Sequence, residues 1–421
     1  MRSGVKMLLN PVHLNHFYQP SPPPPRQHVE EVDSFEALYN SLSNLTLAPT
    51  TLVPRAPAPV SKLILSEPVP QPQPASIVKQ EDNQGIPVNL IFPPGDNVIF
   101  AHSSYFTRPK YGFPPDLPSV PQVRGQAILS HGSLPLPSPY YLPVPQAGLL
   151  VKYGADTTVT STEAKTLLSL RRYLSDKVPV QEVFGWRRDI ETGERVIYLC
   201  LPSDGVTLEQ QWPFMSDSQK EHICLQIKDM VKSWRRLQPG GVEVVASIDN
   251  TPLKDEIFQF PTSPGLKIPA PGPFPNISNF HSYFVATAVA LSQTKQKDDI
   301  PAKINYQPHH LLPDNAPIVF THGALHPRNI IISMHQQNQP TVVSVIGWEQ
   351  AGWYPAYWEL CKARHECSKQ GEQGALLGDW ESKYLPAIVN LDEFGLEKQG
   401  WNGRALCQYW DYFVGLMHRW Q

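Results

Sequence analysis

The sequence predicts an α+β protein with two lobes, a small β-rich lobe followed by a larger and mainly helical lobe, behind a proline-rich arm. More than half of the 46 prolines precede Gly148, so the arm lacks the backbone donors and the apolar surface that a domain needs. Apolar β-type runs follow, and helical periodicity dominates after Ser216. These observations divide the chain into a disordered arm, a small lobe and a large lobe at residues 1–95, 96–205 and 206–421.

One segment of the arm has a different character. Residues 34–45 place their apolar side chains on one helical face behind Ser34, which suits an N-cap. Two interpretations are open for this segment: a short helix that docks on a partner, and a transient helix within a disordered arm.

The small lobe contains two predicted strands and one predicted helix. Residues 149–153 form an apolar strand, and residues 196–201 form a buried strand that ends at the turn between the lobes. Ser161–Leu174 has helical periodicity. Because prolines interrupt residues 114–145, we expect the sheet to begin at Gly148.

A capping box opens the first long helix of the large lobe. Ser216 and Gln219 have the spacing of that box, apolar residues recur at helical spacing as far as Leu237, and Gly240 and Gly241 end the helix. Further helical segments are predicted at residues 278–292, 355–370, 379–384 and 403–419.

Two strand-like runs of the large lobe each end in a polar turn whose side chains would project into a cleft. Residues 318–320 lead into His322-Gly-Ala-Leu-His-Pro-Arg-Asn329, and residues 342–346 lead into Gly347-Trp-Glu349. The turns resemble His-Gly-Asp-Leu-His-Pro-x-Asn and Ile-Asp-Trp-Glu. Those are the paired motifs of the aminoglycoside phosphotransferase family, which is related to the protein kinases.

The resemblance extends well beyond these two turns. Residues 149–154 resemble the family's strand with the phosphate-binding lysine, and Glu163 resembles the glutamate that pairs with this lysine. Other segments are similar to the large fungal branch of the family and follow its order from about Leu117 to the C-terminus: residues 178–186, 207–212, 272–275 and 410–413. The resemblance implies a two-lobed, protein-kinase-like fold.

The resemblance also implies roles for individual residues. Lys152 and Glu163 would form the nucleotide-facing ion pair, and backbone groups near Cys200 and Leu201 would face the adenine ring of ATP. Asn329 stands at the family's second metal-ligand position. The implied cofactors are therefore ATP and Mg²⁺.

Two carboxylates of the family pattern are absent. Ala324 stands where the family has its catalytic aspartate, and Gly347 stands where it has the aspartate that holds magnesium. A methyl group cannot orient the acceptor hydroxyl, and glycine offers no side-chain oxygen to the metal. The glycine-rich hairpin that covers the phosphates is also missing, its nearest candidate being His131-Gly-Ser133. We therefore expect a pseudoenzyme with weakened ATP and Mg²⁺ binding, whose partner is a small-molecule ligand or a protein.

Other interpretations are open. The chain is alternatively an active ATP-dependent kinase of small-molecule hydroxyl groups, with Asn329 and Glu349 as metal ligands. In a third interpretation, the alanine and the glycine are replacements in an otherwise active enzyme. His322 and His326 have a spacing that suits a metal on a helix, but they flank a turn and belong to the family pattern, so we assign them a structural role. Arg328 suits a phosphate contact and a surface contact equally.

Composition restricts the partners and the compartment. A net charge of −3 and a pI near 6.5 provide no broad basic field, which argues against nucleic acid and anionic membranes as partners. The five cysteines lack metal-type spacing and indicate reduced thiols. Since no run approaches the roughly 20 apolar residues that span a bilayer, we expect a cytoplasmic protein.

Overall fold

The computed structural model describes residues 85–107, 116–131, 139–202, 205–260, 266–292, 311–336, 339–368 and 377–419. Within these ranges a β-sheet lobe precedes a mainly helical lobe, which confirms the predicted α+β fold class. The docking segment predicted at residues 34–45 lies outside the described residues.

The sheet of the small lobe has five antiparallel strands. The first six strands among the described residues are β1 (Ile86–Val88), β2 (Asn97–Ile99), β3 (Tyr140–Val144), β4 (Leu149–Ala155), β5 (Val183–Asp189) and β6 (Glu194–Cys200). Five of them form the sheet, in the order β2-β5-β6-β4-β3. The prediction that the sheet begins at Gly148 was wrong, since β2 and β3 precede that residue. β3 contains Pro143 and lies at the edge of the sheet. An edge strand tolerates proline, because only one of its sides pairs with another strand and the missing N–H can face away from it.

Helices cover both faces of this sheet. The small lobe contains α1 (Ser104–Thr107), α2 (Val120–His131) and α3 (Ser161–Leu174), and α3 has the predicted bounds. Along β4, Leu150 joins the core on the α3 side, whereas Val151 joins the core on the α2 side. Because successive side chains alternate between faces, Lys152 lies on the same face as Leu150, towards α3. The sequence analysis missed α2, whose Pro121 and Gly125 weaken the helical pattern.

The large lobe contains six helices among the described residues, together with one π-helical turn at Trp380–Tyr384. They are α4 (Leu208–Gln211), α5 (Asp217–Arg235), α6 (Ile277–Ser292), α7 (Trp358–Ser368), α8 (Leu385–Ile388) and α9 (Gly403–His418). The predicted capping box of α5 is formed in both directions by Ser216 and Gln219. α5 ends at Arg235 and not at Gly240, because the next residues form a strand.

The remaining strands bring the two motif turns together. They are β7 (Val206–Thr207), β8 (Leu237–Pro239), β9 (Ala246–Ser247), β10 (Ile318–Thr321), β11 (Ile330–Gln336), β12 (Gln339–Val345) and β13 (Gly352–Pro355). The first motif turn lies between β10 and β11, and the second lies between β12 and β13. Since β10 pairs with β13 and β11 pairs with β12, the two turns meet at one end of both strand pairs.

One further strand pair extends this framework. β8 pairs in parallel with β1, which belongs to the stretch that the sequence analysis placed in the arm. Within the ranges given above, none of the helices combines the length and the apolar character needed to cross a membrane.

Candidate active site

The first motif turn is fixed by a carboxylate from α7. Glu359 accepts hydrogen bonds from the backbone N–H groups of His322 (2.7 Å) and Gly323 (3.1 Å). Its side chain is fully buried, and burial raises its pKa to about 6, although the two N–H groups oppose this shift. The sequence analysis missed Glu359, whose only local signal is a carboxylate in the first turn of a helix.

His322 links the two turns through both ring nitrogens. Its Nδ1 accepts a hydrogen bond from the Ala324 N–H (3.1 Å), which leaves Nε2 to donate to the Ile346 carbonyl (3.0 Å). The ring is completely buried and packs against Trp348, with the ring centroids 4.2 Å apart. Burial lowers the pKa of His322 to about 4, so the imidazole is neutral near pH 7. This geometry accounts for His322 as a structural link between the turns.

Ala324 lies in the centre of the first turn, and Asn329 closes the turn. The Ala324 side chain is a buried methyl group, and its carbonyl accepts a hydrogen bond from the Asn329 side-chain N–H₂ (2.8 Å). The Asn329 carbonyl in turn accepts from the Ile346 N–H (2.9 Å), which joins the first turn to the second. The Asn329 side chain therefore holds the first turn through its amide nitrogen.

Gly347 has a backbone conformation that residues other than glycine rarely adopt. Its φ of +79° is left-handed, and it precedes the short 3₁₀ turn Trp348–Gln350. A Cβ atom placed on Gly347 would lie 2.8 Å from both Cγ and Nδ2 of Asn329. The Asn329 side chain thus fills the space into which a larger residue at Gly347 would project.

Lys152 contacts two carboxylates at the junction of the lobes. Its Nζ lies 2.8 Å from Glu163 Oε2 on α3 and 3.2 Å from Glu349 Oε2 in the second turn. Burial alone would lower the pKa of Lys152, but the two carboxylates raise it well above its ordinary value. Burial raises the pKa of Glu163, whereas Lys152 outweighs burial at Glu349 and lowers its pKa. The sequence analysis paired Lys152 with Glu163 and did not anticipate the contact with Glu349.

The backbone groups proposed to face adenine are engaged within the protein. The Cys200 N–H donates to the Glu182 carbonyl (2.8 Å), and the Leu201 N–H donates to the Gly148 carbonyl (2.9 Å). The Cys200 carbonyl accepts from Gln181 Nε2 (2.9 Å). These bonds set the end of β6 in the sheet and occupy three of the groups that would contact a base.

His326 and Arg328 hold the far side of the first turn. His326 Nδ1 accepts from the Arg328 N–H (3.2 Å), and burial lowers the pKa of His326 to about 3. Arg328 forms an ion pair with Glu366 (2.9 Å) on α7. In the structure Arg328 therefore contacts a neighbouring helix, and the two histidines serve separate backbone contacts.

A buried charged cluster, centred on Lys362 of α7, supports both turns. The Lys362 ammonium contacts Asp255 (3.3 Å), Glu366 (3.0 Å) and the side-chain oxygen of Gln350 (3.0 Å). Gln350 belongs to the second turn, and Glu366 is the ion-pair partner of Arg328 in the first. The sequence analysis missed this cluster because its members come from separate segments of the chain.

The oxygen donors at this site do not fit a magnesium ion as they stand. Gly347 has no side-chain oxygen, Glu349 contacts Lys152, and the amide oxygen of Asn329 carries no charge. Among the described residues, no group of three or more His, Cys, Asp or Glu side chains is arranged to hold a metal. Magnesium is usually bound through one or two protein carboxylates together with substrate phosphates.

The chain is similar to known proteins both in sequence and in structure. The model of the "Phosphotransferase enzyme family" matches residues 155–394, more than half of the 421 residues. The structure is similar to that of the aminoglycoside phosphotransferase APH(3'')-Id from Streptomyces rimosus, with 13% identity, 70% of this chain and 97% of that chain covered, and a TM-score of 0.37. It is also similar to the GDP complex of wild-type aminoglycoside 2'-phosphotransferase-IIIa, with 12% identity, 70% and 98% covered, and a TM-score of 0.32. No curated protein matches the chain.

Proposed function

Because the chain belongs to the phosphotransferase enzyme family, we propose that it is a catalytically impaired member that acts by binding a ligand and not by transferring a phosphoryl group. The observation that carries this proposal is the buried methyl group of Ala324, whose own N–H and carbonyl groups are held by His322 and Asn329. Phosphoryl transfer needs a group that accepts or orients the hydroxyl proton of the acceptor. No such group is available from Ala324.

The second motif turn supports the same proposal. Metal ions neutralise the charge that develops on the transferred phosphoryl group, and Gly347 supplies no ligand for them. The Asn329 amide packs into the space beside Gly347. The two turns are therefore held together by hydrogen bonds between protein groups, at the place where the reaction would need a metal and a base.

The proposed ligand is a small molecule that occupies the cleft between the lobes, and a protein partner is the other candidate. Lys152 and Glu163 have the arrangement of a nucleotide-facing ion pair, so a nucleotide is the ligand to test first. We place the protein in a reducing, cytoplasmic compartment, since the five cysteines lack metal-type spacing and Cys361 and Cys407, with Sγ atoms 3.4 Å apart, share a hydrogen bond and not a disulfide.

Turnover of ATP tests the proposed function directly. The full-length protein is incubated with ATP, Mg²⁺ and a panel of hydroxyl compounds that includes aminoglycosides, and ADP formation is measured. We expect no turnover above background, and rates of about 1–100 s⁻¹, ordinary for kinases, would overturn the proposal. The double variant Ala324→Asp/Gly347→Asp is the comparison, because activity in this variant alone would show that the missing carboxylates are the cause.

The alternative of an active kinase makes a different prediction. If Asn329 and Glu349 bind the metal, ATP with Mg²⁺ will raise the melting temperature more than ATP alone, because a ligand bound by the folded state adds to stability. In that case Glu349→Gln will abolish the metal-dependent increment. The observation that favours this alternative is the position of Glu349 in the second turn, two residues after Gly347. It requires Glu349 to leave Lys152.

A further inference from the structure

Lys152 carries one positive charge between two negative ones. Its side chain is almost completely buried, and Glu163 and Glu349 approach it from different lobes. One ammonium group with two carboxylates has a net negative charge, so this part of the cleft is not the cationic site that a phosphate requires. Glu163 alone would neutralise the lysine, and Glu349 supplies the excess charge.

The second motif turn holds Glu349 in this position. On one side, Trp348 is buried and its Nε1 donates to the Val345 carbonyl (2.8 Å). On the other side, Gln350 accepts hydrogen bonds from the Glu256 N–H (3.1 Å) and from Lys362 (3.0 Å). Because both neighbours are anchored, the backbone at Glu349 is held where its side chain reaches Lys152.

Of the two partners in this contact, Glu349 is the more exposed. Its side chain is 30% exposed, whereas that of Lys152 is 1% exposed. The partly exposed carboxylate, and not the buried ammonium, is therefore the partner that a change of side-chain rotamer would turn towards solvent. A phosphate entering the cleft would meet the lysine only after this change.

We propose that Glu349 is a specificity-determining residue, an internal anion that takes the place of a phosphate on Lys152 and so selects against nucleoside triphosphates. This inference rests on the proposed function, in which the cleft binds a ligand without catalysis. A triphosphate must displace one carboxylate from the lysine and then lie beside it, and like charges at such distances repel strongly in a partly desolvated site. A ligand without phosphates neither displaces a carboxylate from Lys152 nor meets this repulsion.

Binding of a polyphosphate without metal tests this role. The probes are sodium tripolyphosphate and ATP, both in EDTA, and their dissociation constants are measured by calorimetry for the full-length protein and for Glu349→Gln. Glutamine retains an oxygen that accepts from Lys152 and removes only the charge, so the variant is expected to fold. We expect both probes to bind at least tenfold more tightly to Glu349→Gln, with adenosine binding unchanged.

Two further variants make the test specific. Glu191→Gln removes the same charge from the exposed turn between β5 and β6, and it should leave all affinities unchanged. Glu349→Ala is a second variant at the site and should show the same gain as Glu349→Gln. Thermal unfolding checks that each variant is folded.

Three outcomes would overturn the inference. They are equal affinity of the wild-type protein and Glu349→Gln for tripolyphosphate, weaker binding by Glu349→Gln, and no binding of the probe by either protein. Each leaves the turnover result untouched, because turnover depends on Ala324 and Gly347. Conversely, kinase-like turnover would remove the proposed function while the metal-free affinities still report on Glu349.

Discussion

Gly347 of the second motif turn lies directly against Asn329 of the first. A left-handed φ of +79° costs an ordinary L-residue about 1–2 kcal/mol, and a side chain at Gly347 would also overlap with the Asn329 amide. That amide in turn holds the Ala324 carbonyl. Restoring a carboxylate at Gly347 would therefore disturb the first turn as well as the second.

We predict that Gly347→Ala destabilises the protein more than the matched variant Gly193→Ala. Both glycines have positive φ values, +79° and +67°, but no atom lies within 4 Å of a Cβ placed on Gly193. Gly193→Ala should lower the free energy of unfolding by about 1–2 kcal/mol, the cost of the backbone conformation. Gly347→Ala should lower it by about 1–3 kcal/mol more, because Asn329 must move. Urea unfolding measures both, and equal losses would show that Asn329 yields without cost.

At the scale of secondary-structure elements, pairing between distant segments decides several boundaries. Sequence periodicity extended α5 to Gly240, but the helix ends at Arg235 because Leu237–Pro239 pairs with β1. The Ile86 N–H donates to the Arg236 carbonyl (2.7 Å), so this part of the predicted arm is attached directly to the large lobe. Neither strand has a strong local signal, and each is stabilised by the other.

We predict that Gly240→Ala separates β1 from β8, whereas Gly241→Ala does not. A Cβ atom on Gly240 would overlap with the Val88 carbonyl oxygen and the Asn89 side chain, but one on Gly241 would meet no atom within 4 Å. Hydrogen exchange at the Ile86 amide measures the pairing. In Gly240→Ala we expect faster exchange of the Ile86 amide and a free energy of unfolding that is lower by about 1–3 kcal/mol. Unchanged protection of Ile86 in that variant would contradict the role assigned to this contact.

At the scale of the whole molecule, the burial of ionisable groups around the motif turns couples stability to pH. The folded-state pKa values of His322 and His326 are lowered from 6.5 to about 4 and about 3. The contribution of these two neutral histidines to the free energy of unfolding is fully present above pH 6.5, and it is lost as the pH falls towards their folded-state pKa values. Glu359 acts in the opposite direction, since its pKa is raised from 4.5 to about 6 and its contribution is lost as the pH rises through that range.

We predict that the two histidines outweigh Glu359, so that the free energy of unfolding falls between pH 7 and pH 5. At pH 5 the pH lies about 1.5 units below the pKa of an unfolded histidine, and each unit costs about 1.4 kcal/mol. Each histidine therefore contributes about 2 kcal/mol to this fall. His326→Asn keeps an acceptor for the Arg328 N–H and removes one titrating ring, so its fall should be smaller by about that amount. His222→Asn, on α5, is the matched control and should retain the full fall. Chemical unfolding at several pH values measures the slopes, and equal slopes for His326→Asn and the wild-type protein would contradict the prediction.

The sequence by itself determined the fold class, the bounds of α3, the capping box of α5 and the positions of the two motif turns. These features depend on neighbouring residues, through periodicity, caps and the end of an apolar run. The sequence also showed that Ala324 and Gly347 carry no carboxylate, because the chemistry of a side chain is independent of its surroundings.

Only the tertiary structure decided which groups those turns contact. Lys152 and Glu349 are 197 residues apart in sequence, and Glu359 reaches the backbone of His322 from another element. The position of α2 on the sheet and the pairing of β1 with β8 likewise depend on packing between distant segments. Such contacts are fixed by the way the strands pair and the helices pack, and no local pattern of residues encodes them.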